Sequence, residues 1–173
     1  MKKLLLPLAI AIALLSTGCE DKKPEKVSPV ENFKLTEYLG TWYEIARLEH
    51  RFEKGMEAIS ATYSMREDGG VKVLNKGYKT AEKEWSEAEG KAYFVKDEST
   101  GYLKVSFFGP FYGAYIIFSL DKGYQQSFVS GPDHHYLWLL SRTPYVTQAV
   151  KNKFMKEAKQ RGFDVDALIW AKE

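Results

Sequence analysis

Few side chains in this sequence have the type and spacing for covalent or metal chemistry. The single thiol, Cys19, follows an apolar run and Ser16-Thr17-Gly18, with no histidine nearby to activate it. There are three histidines, His50, His134 and His135. Asp133-His134-His135 groups metal-ligating types, but neighbouring side chains on an extended chain point to opposite sides, and a turn beside an aspartate faces water. A zinc site there is disfavoured. No serine, histidine and acid fall into a nucleophile-and-base arrangement, so the chain is read as a non-enzyme with no metal and no cofactor. Glu44 stands apart: strand parity aims its carboxylate inward, where it must pair with a Lys or Arg, meet a ligand hydroxyl or bind water.

Composition bounds what can hold these residues. The chain has 173 residues, 45% of them apolar and 14% aromatic, enough for one packed domain. A net charge of +2 gives no footing for nucleic acid, and one cysteine excludes an internal disulfide framework. Lys2 and Lys3 precede an apolar run from Leu4 to Leu15, too short for the roughly 20 residues of a membrane span but fitting a secretion signal. Ser16-Thr17-Gly18-Cys19 resembles the lipobox of bacterial lipoproteins. That likeness implies that residues 1–18 are a removed signal peptide and that Cys19 is lipidated and anchors the chain. Glu20, where Asp would mark retention in the inner membrane, implies the outer membrane, with the folded part on the periplasmic side. Residues 19–31 are rich in Lys, Glu, Asp and Pro and read as a flexible tether, with a reach of roughly 40 Å.

From Thr41 the pattern alternates with period two, as half-buried strands do. Trp42, Glu44, Ala46 and Leu48 share one face, and so do Ile59, Ala61, Tyr63 and Met65, which end at the hairpin Asp68-Gly69-Gly70. Val71, Val73 and Asn75 begin the return. Gly90, Ala92 and Phe94 follow, then Leu103, Val105 and Phe107, then Tyr112, Ala114, Ile116, Phe118 and Leu120. Segments 127–130 and 136–141 flank Gly131-Pro132-Asp133. Eight short strands at this spacing make a sandwich or an up-and-down barrel. Val146, Val150, Phe154 and Ala158 then recur every four residues, opposite Lys151, Lys153, Lys156 and Lys159. This predicts an amphipathic helix between a Thr147 cap and a Gly162 stop. Leu168 to Trp170 suit a last short strand.

Phe33 with Tyr38-Leu39-Gly40-Thr41-Trp42, Asp121 with Tyr124, and Leu140-Ser141-Arg142-Thr143-Pro144 resemble the three ordered signatures of the lipocalins. The likeness is greatest to the bacterial lipocalins related to apolipoprotein D. It implies an all-β fold over residues 32–173, an eight-stranded antiparallel β-barrel with one C-terminal helix. In such a barrel Gly40 gives the tight turn into the first strand, Trp42 plugs the closed end, and Arg142 lies across Trp42 as a cation–π partner. The remaining donors of Arg142 would tie down the segment from Phe33 to Leu39. These three residues are structural.

The resemblance further implies a fatty acid or lysophospholipid as ligand, and inward Ala, Val, Phe, Tyr and Leu suit an acyl chain. Tyr112 and Trp138 are expected as aromatic walls, Phe52 and Met56 as parts of the loop over the open end, and Glu44 as an inward carboxylate. A second reading is an interaction module, with Tyr102, Phe108, Phe111, Tyr115 and Tyr145 forming a surface for a partner protein or a homodimer. A lipocalin-fold enzyme ranks lower, because lipidation removes the only thiol.

Overall fold

Turn residues cut the chain into strands. Asp68 Oδ1 accepts the Gly70 N–H at 3.0 Å while Gly69 takes φ +80°, a conformation open to glycine at no steric cost. The computed structural model describes residues 23–172. Its strands are β1 (Gly40–Leu48), β2 (Met56–Met65), β3 (Val71–Lys79), β4 (Glu84–Phe94), β5 (Tyr102–Phe108), β6 (Phe111–Leu120), β7 (Gln126–Ser130), β8 (Leu137–Ser141) and β9 (Leu168–Trp170). Two helices, α1 (Leu35–Tyr38) and α2 (Gln148–Gln160), flank them. The expected signal peptide, residues 1–18, and Cys19 lie outside the described residues.

Each strand from β1 to β8 pairs antiparallel with the next, and β1 closes the ring by pairing with both β2 and β8. The result is the expected eight-stranded up-and-down barrel. β9 joins the edge of β1 at Ala46 to Leu48, above the point where β2 parts from it. Because the strands alternate in direction, loops 49–55, 80–83, 109–110 and 131–136 gather at one end, the mouth. The turns 66–70 and 121–125 lie at the other end with α1, the floor.

Apolar side chains sort into two cores. Trp42, Tyr63, Val71, Val73, Ala92, Leu103, Ile117, Val129 and Leu140 fill the interior, joined by Phe33 and Tyr38 from the segment across the floor. Ile45, Ala46, Leu48, Ile116, Phe118, Phe128, Leu137 and Leu139 lie outside the barrel and are covered by Phe154 and Ala158 of α2. The helix begins where Thr147 accepts from the Val150 N–H and ends at Gly162, whose φ is +89°. β1 is therefore buried on both faces along its second half.

Three expectations need correction. The faces of β1 are not continuous: Glu44 opposes Leu140 but Ala46 opposes Leu139, so Ile45 is the extra residue of a β-bulge. Beyond it Ala46 and Leu48 turn to the helix, not to the face of Trp42. On β6 the inward set is Tyr115 and Ile117, while Ala114, Ile116 and Phe118 lie in the outer core. Both faces of β6 are apolar, so alternation alone could not tell inside from outside. The tether is also shorter than expected. Val27 is fully buried in the outer core, Val30 bonds to Ile117 and Gly101 through its backbone, and Glu31 bridges to Thr100. Residues 24–31 are thus part of the barrel wall.

Candidate functional site

The floor is built around Trp42, which has no exposed surface and donates its Nε1–H to the Tyr38 carbonyl at 2.8 Å. Arg142 Cζ stands 4.0 Å above the indole. Its Nη1 donates to Thr41 O at 3.0 Å, its Nη2 to Glu37 O and Leu39 O at 2.9 Å each, and its Nε to Tyr124 O at 3.2 Å. One planar guanidinium thus ties the α1 segment to β1 and to the 121–125 turn. Gly40 is left-handed at φ +94°, and a Cβ there would stand 3.4 Å from Arg142 Nη1.

Above the floor lies an internal cavity of about 110 Å³, lined mainly by apolar side chains such as Ile59, Val71, Val73, Leu103, Val105 and Leu140. Its base carries a hydroxyl network in which Tyr115 bonds to Tyr38 at 2.8 Å and Tyr63 at 2.9 Å, and Tyr38 also reaches Ser127 at 3.0 Å. Burial pushes the Tyr38 phenol up to about 12 and raises those of Tyr63 and Tyr115 as well. All three stay neutral and serve as hydrogen-bonding groups.

A buried charged group sits toward the mouth. The β1 bulge brings Arg47 round to the side of Glu44, and Nη1 donates to Glu44 Oε1 at 2.7 Å. Nη2 reaches the carbonyls of Glu53 and Met56 at 3.1 and 3.3 Å. Glu53, from the loop after β1, takes the Trp138 Nε1–H at 3.1 Å and lies 2.8 Å from His50 Nε2. Burial, with the charge of Glu53 beside it, raises the Glu44 carboxyl well above the usual range against the pull of Arg47. Burial pushes Glu53 the same way, but the contacts to His50 and Trp138 and the Arg47 charge outweigh it and hold its carboxyl low. Of the two carboxyls, Glu44 is the one that burial drives toward its neutral form, and Glu53 the one held as a carboxylate.

Trp138 and Glu44 line the cavity, as strand parity implies. Phe52 is half exposed on the mouth loop beneath Arg51, and Met56 lies beside Gly77, so neither lines it. Tyr112 is corrected outright: it is exposed on the outer face of β6, beside Tyr93 and Lys104. Of the presumed surface aromatics, Phe108, Phe111 and Tyr145 are exposed, but Tyr102 is buried in the outer core and Tyr115 turns into the cavity. His134 turns away from its neighbours, its Nε2 on the Arg161 carbonyl, while His135 Nδ1 lies on Asp133. Arg47 and Glu53 escaped the sequence reading, and Tyr115 was expected on the surface. The bulge hides Arg47, and a loop residue such as Glu53 has no periodicity to reveal it.

The sequence profile of the lipocalin-like domain matches residues 33–173. Outer membrane lipoprotein Blc of Vibrio cholerae is 53% identical over 165 residues, covering 95% of this chain and 96% of that protein. The Escherichia coli K12 protein of the same name is 49% identical over 172 residues, with coverage of 98% and 97%. Rat apolipoprotein D is 34% identical over 128 residues, covering 67% of this chain and 64% of its own. Among solved structures, insecticyanin from Manduca sexta matches with a TM-score of 0.67 at 18% identity, over 85% of this chain and 84% of that one. The cockroach allergen Per a 4 matches with 0.67 at 19%, over 88% and 96%. These two share the fold.

Proposed function

The chain belongs to the lipocalin family, and on that footing we propose that it binds and stores or carries a single-chain lipid, a fatty acid or lysophospholipid, in the cell envelope. The observation that carries this reading is the apolar cavity above a floor closed by Trp42 and Arg142. An eight-stranded barrel is just wide enough for one small ligand. Its roughly 110 Å³ is of the order of the ~150 Å³ apolar cavity that holds benzene, so an acyl chain enters tail first and its head stays near the mouth. Each methylene buried contributes about 0.8 kcal/mol. The charged group at the mouth ties Glu44 of β1 to the Glu53 and Met56 carbonyls through Arg47, a loop-holding arrangement that supports a binding role. Cys19 is proposed as the outer-membrane anchor, in keeping with the names of the bacterial relatives, and the barrel is proposed to lie on the periplasmic side.

The test uses the mature chain from residue 19 with Cys19→Ser, mixed with envelope lipid extract and examined by native mass spectrometry. A lipid that co-migrates in one copy supports the proposal, and Trp138→Ala weakens titration with a fluorescent fatty acid by about tenfold. Absence of any bound lipid, together with an unchanged titration, overturns it.

Phe108 and Phe111, 72% and 78% exposed at the β5–β6 turn, favour a second copy of the chain as a further partner. Sedimentation of the same soluble chain checks this: dimers that dissociate on Phe111→Ser support it, and a monomer at high concentration rejects it.

A further inference from the structure

The ionisable side chains lining the cavity have one character. Besides the neutral phenols they are Glu44 and Glu53; no lysine, arginine or histidine lines it among the described residues. The cation nearest to them, Arg47, is committed elsewhere. Its Nη1 is on Glu44 and its Nη2 is on two backbone carbonyls, while its Nε is buried without a hydrogen-bond partner among the described residues, and Arg47 does not line the cavity. His50 and the Trp138 indole N–H are turned onto Glu53. A further acceptor, Asn75 Oδ1 on β3, is buried without a hydrogen-bond partner among the described residues, and Asn75 lines the same cavity.

Resting on the lipid-binding reading above, we infer that this cavity admits amphiphiles whose polar end is an uncharged or cationic hydrogen-bond donor, a hydroxyl or an ammonium, and discriminates against a carboxylate. A hydroxyl or ammonium that reaches the level of Glu44 and Glu53 donates to oxygens already fixed in place. A carboxylate at the same level loses its hydration beside the charge of Glu53, and no cationic side chain lines the cavity to compensate it. A site that leaves buried polar groups unmatched rejects a ligand more strongly than a site that merely misses a contact. A carboxylate lipid is therefore held with its head outside the mouth and less of its tail inside.

The experiment loads the Cys19→Ser mature chain with Nile red, an uncharged dye, and displaces it at neutral pH with dodecanol, dodecylamine and dodecanoate, which share one chain length. Dodecanol and dodecylamine are expected to displace the dye at concentrations about tenfold lower than dodecanoate. Glu53→Gln and Glu44→Gln should each narrow that gap, the latter by freeing Arg47. Dodecanoate matching or surpassing the other two overturns the inference while leaving the carrier reading intact. So does a wild-type gap that neither variant changes. If none of the three displaces the dye, the carrier reading itself fails. The wild-type ranking decides the matter even if a variant does not fold.

Discussion

Glu44 and Arg142 show how differently two polar side chains behave in one barrel, one buried and one partly exposed. Glu44 is raised because burial and the neighbouring Glu53 disfavour its charged form. A carboxyl raised on folding contributes its full share to stability below its unfolded value of about 4.3, and that share falls as pH climbs through the folded value. Glu44→Gln removes this dependence. The stability of the variant relative to wild type should rise between about pH 5 and pH 8, whatever its absolute value, and urea midpoints at the two ends measure it. A difference that stays flat would show that Glu44 is ionised in the fold. Arg142 works through shape: four carbonyls and one indole face meet one planar fork. Arg142→Ala should cost about 3 kcal/mol. Arg142→Lys should recover little of it, since an ammonium cannot reproduce the fork. Thermal melts of the three proteins check both statements.

At the scale of elements, legibility followed the contrast between the two faces of each strand. β2, β3 and β4 have water outside, so Ile59, Ala61, Tyr63, Val71, Val73 and Ala92 could be assigned to the interior from alternation alone, and they line the cavity with Leu103 and Val105 of β5. The floor was legible too, because Gly40, Trp42 and Arg142 sit in motifs that few folds share. β1 and β6 pass beneath α2 and are apolar on both sides. There a bulge at Ile45 and an ambiguous face on β6 moved Arg47 inward, Tyr112 outward and Tyr115 into the cavity. No local pattern announces a bulge that depends on pairing with β8. The same two-sided burial makes α2 a structural partner of the barrel. Phe154, fully buried against Phe128 with ring centroids 5.0 Å apart, should cost about 3–5 kcal/mol as Phe154→Ala. The exposed Lys156→Ala on the opposite face should change stability by less than about 0.5 kcal/mol. Chemical denaturation separates the two, and equal effects would mean that the helix is not docked through this stripe.

For the whole molecule, the packing of residues 24–31 changes what an anchor at Cys19 does. A tether free from residue 19 to residue 31 would let the barrel range roughly 40 Å from the bilayer. With Val27 sealed in the outer core and Val30 bonded to β6, a chain anchored at Cys19 would have residues 19–23 before the packed segment, and five residues span at most roughly 17 Å. An acylated Cys19 would therefore hold the barrel against the lipid head groups, so that a lipid leaving the bilayer crosses little water before reaching the wall of the barrel. Val27→Asp places a charge in an apolar site and should release the arm, since an unpaired buried carboxylate is far costlier than the few backbone bonds it would break. Energy transfer from a dye on the barrel to an acceptor in the bilayer should then fall in the variant. New protease cuts between residues 23 and 31 should appear with the barrel otherwise intact. Energy transfer already weak in the wild type would mean that the arm does not remain packed in the anchored protein.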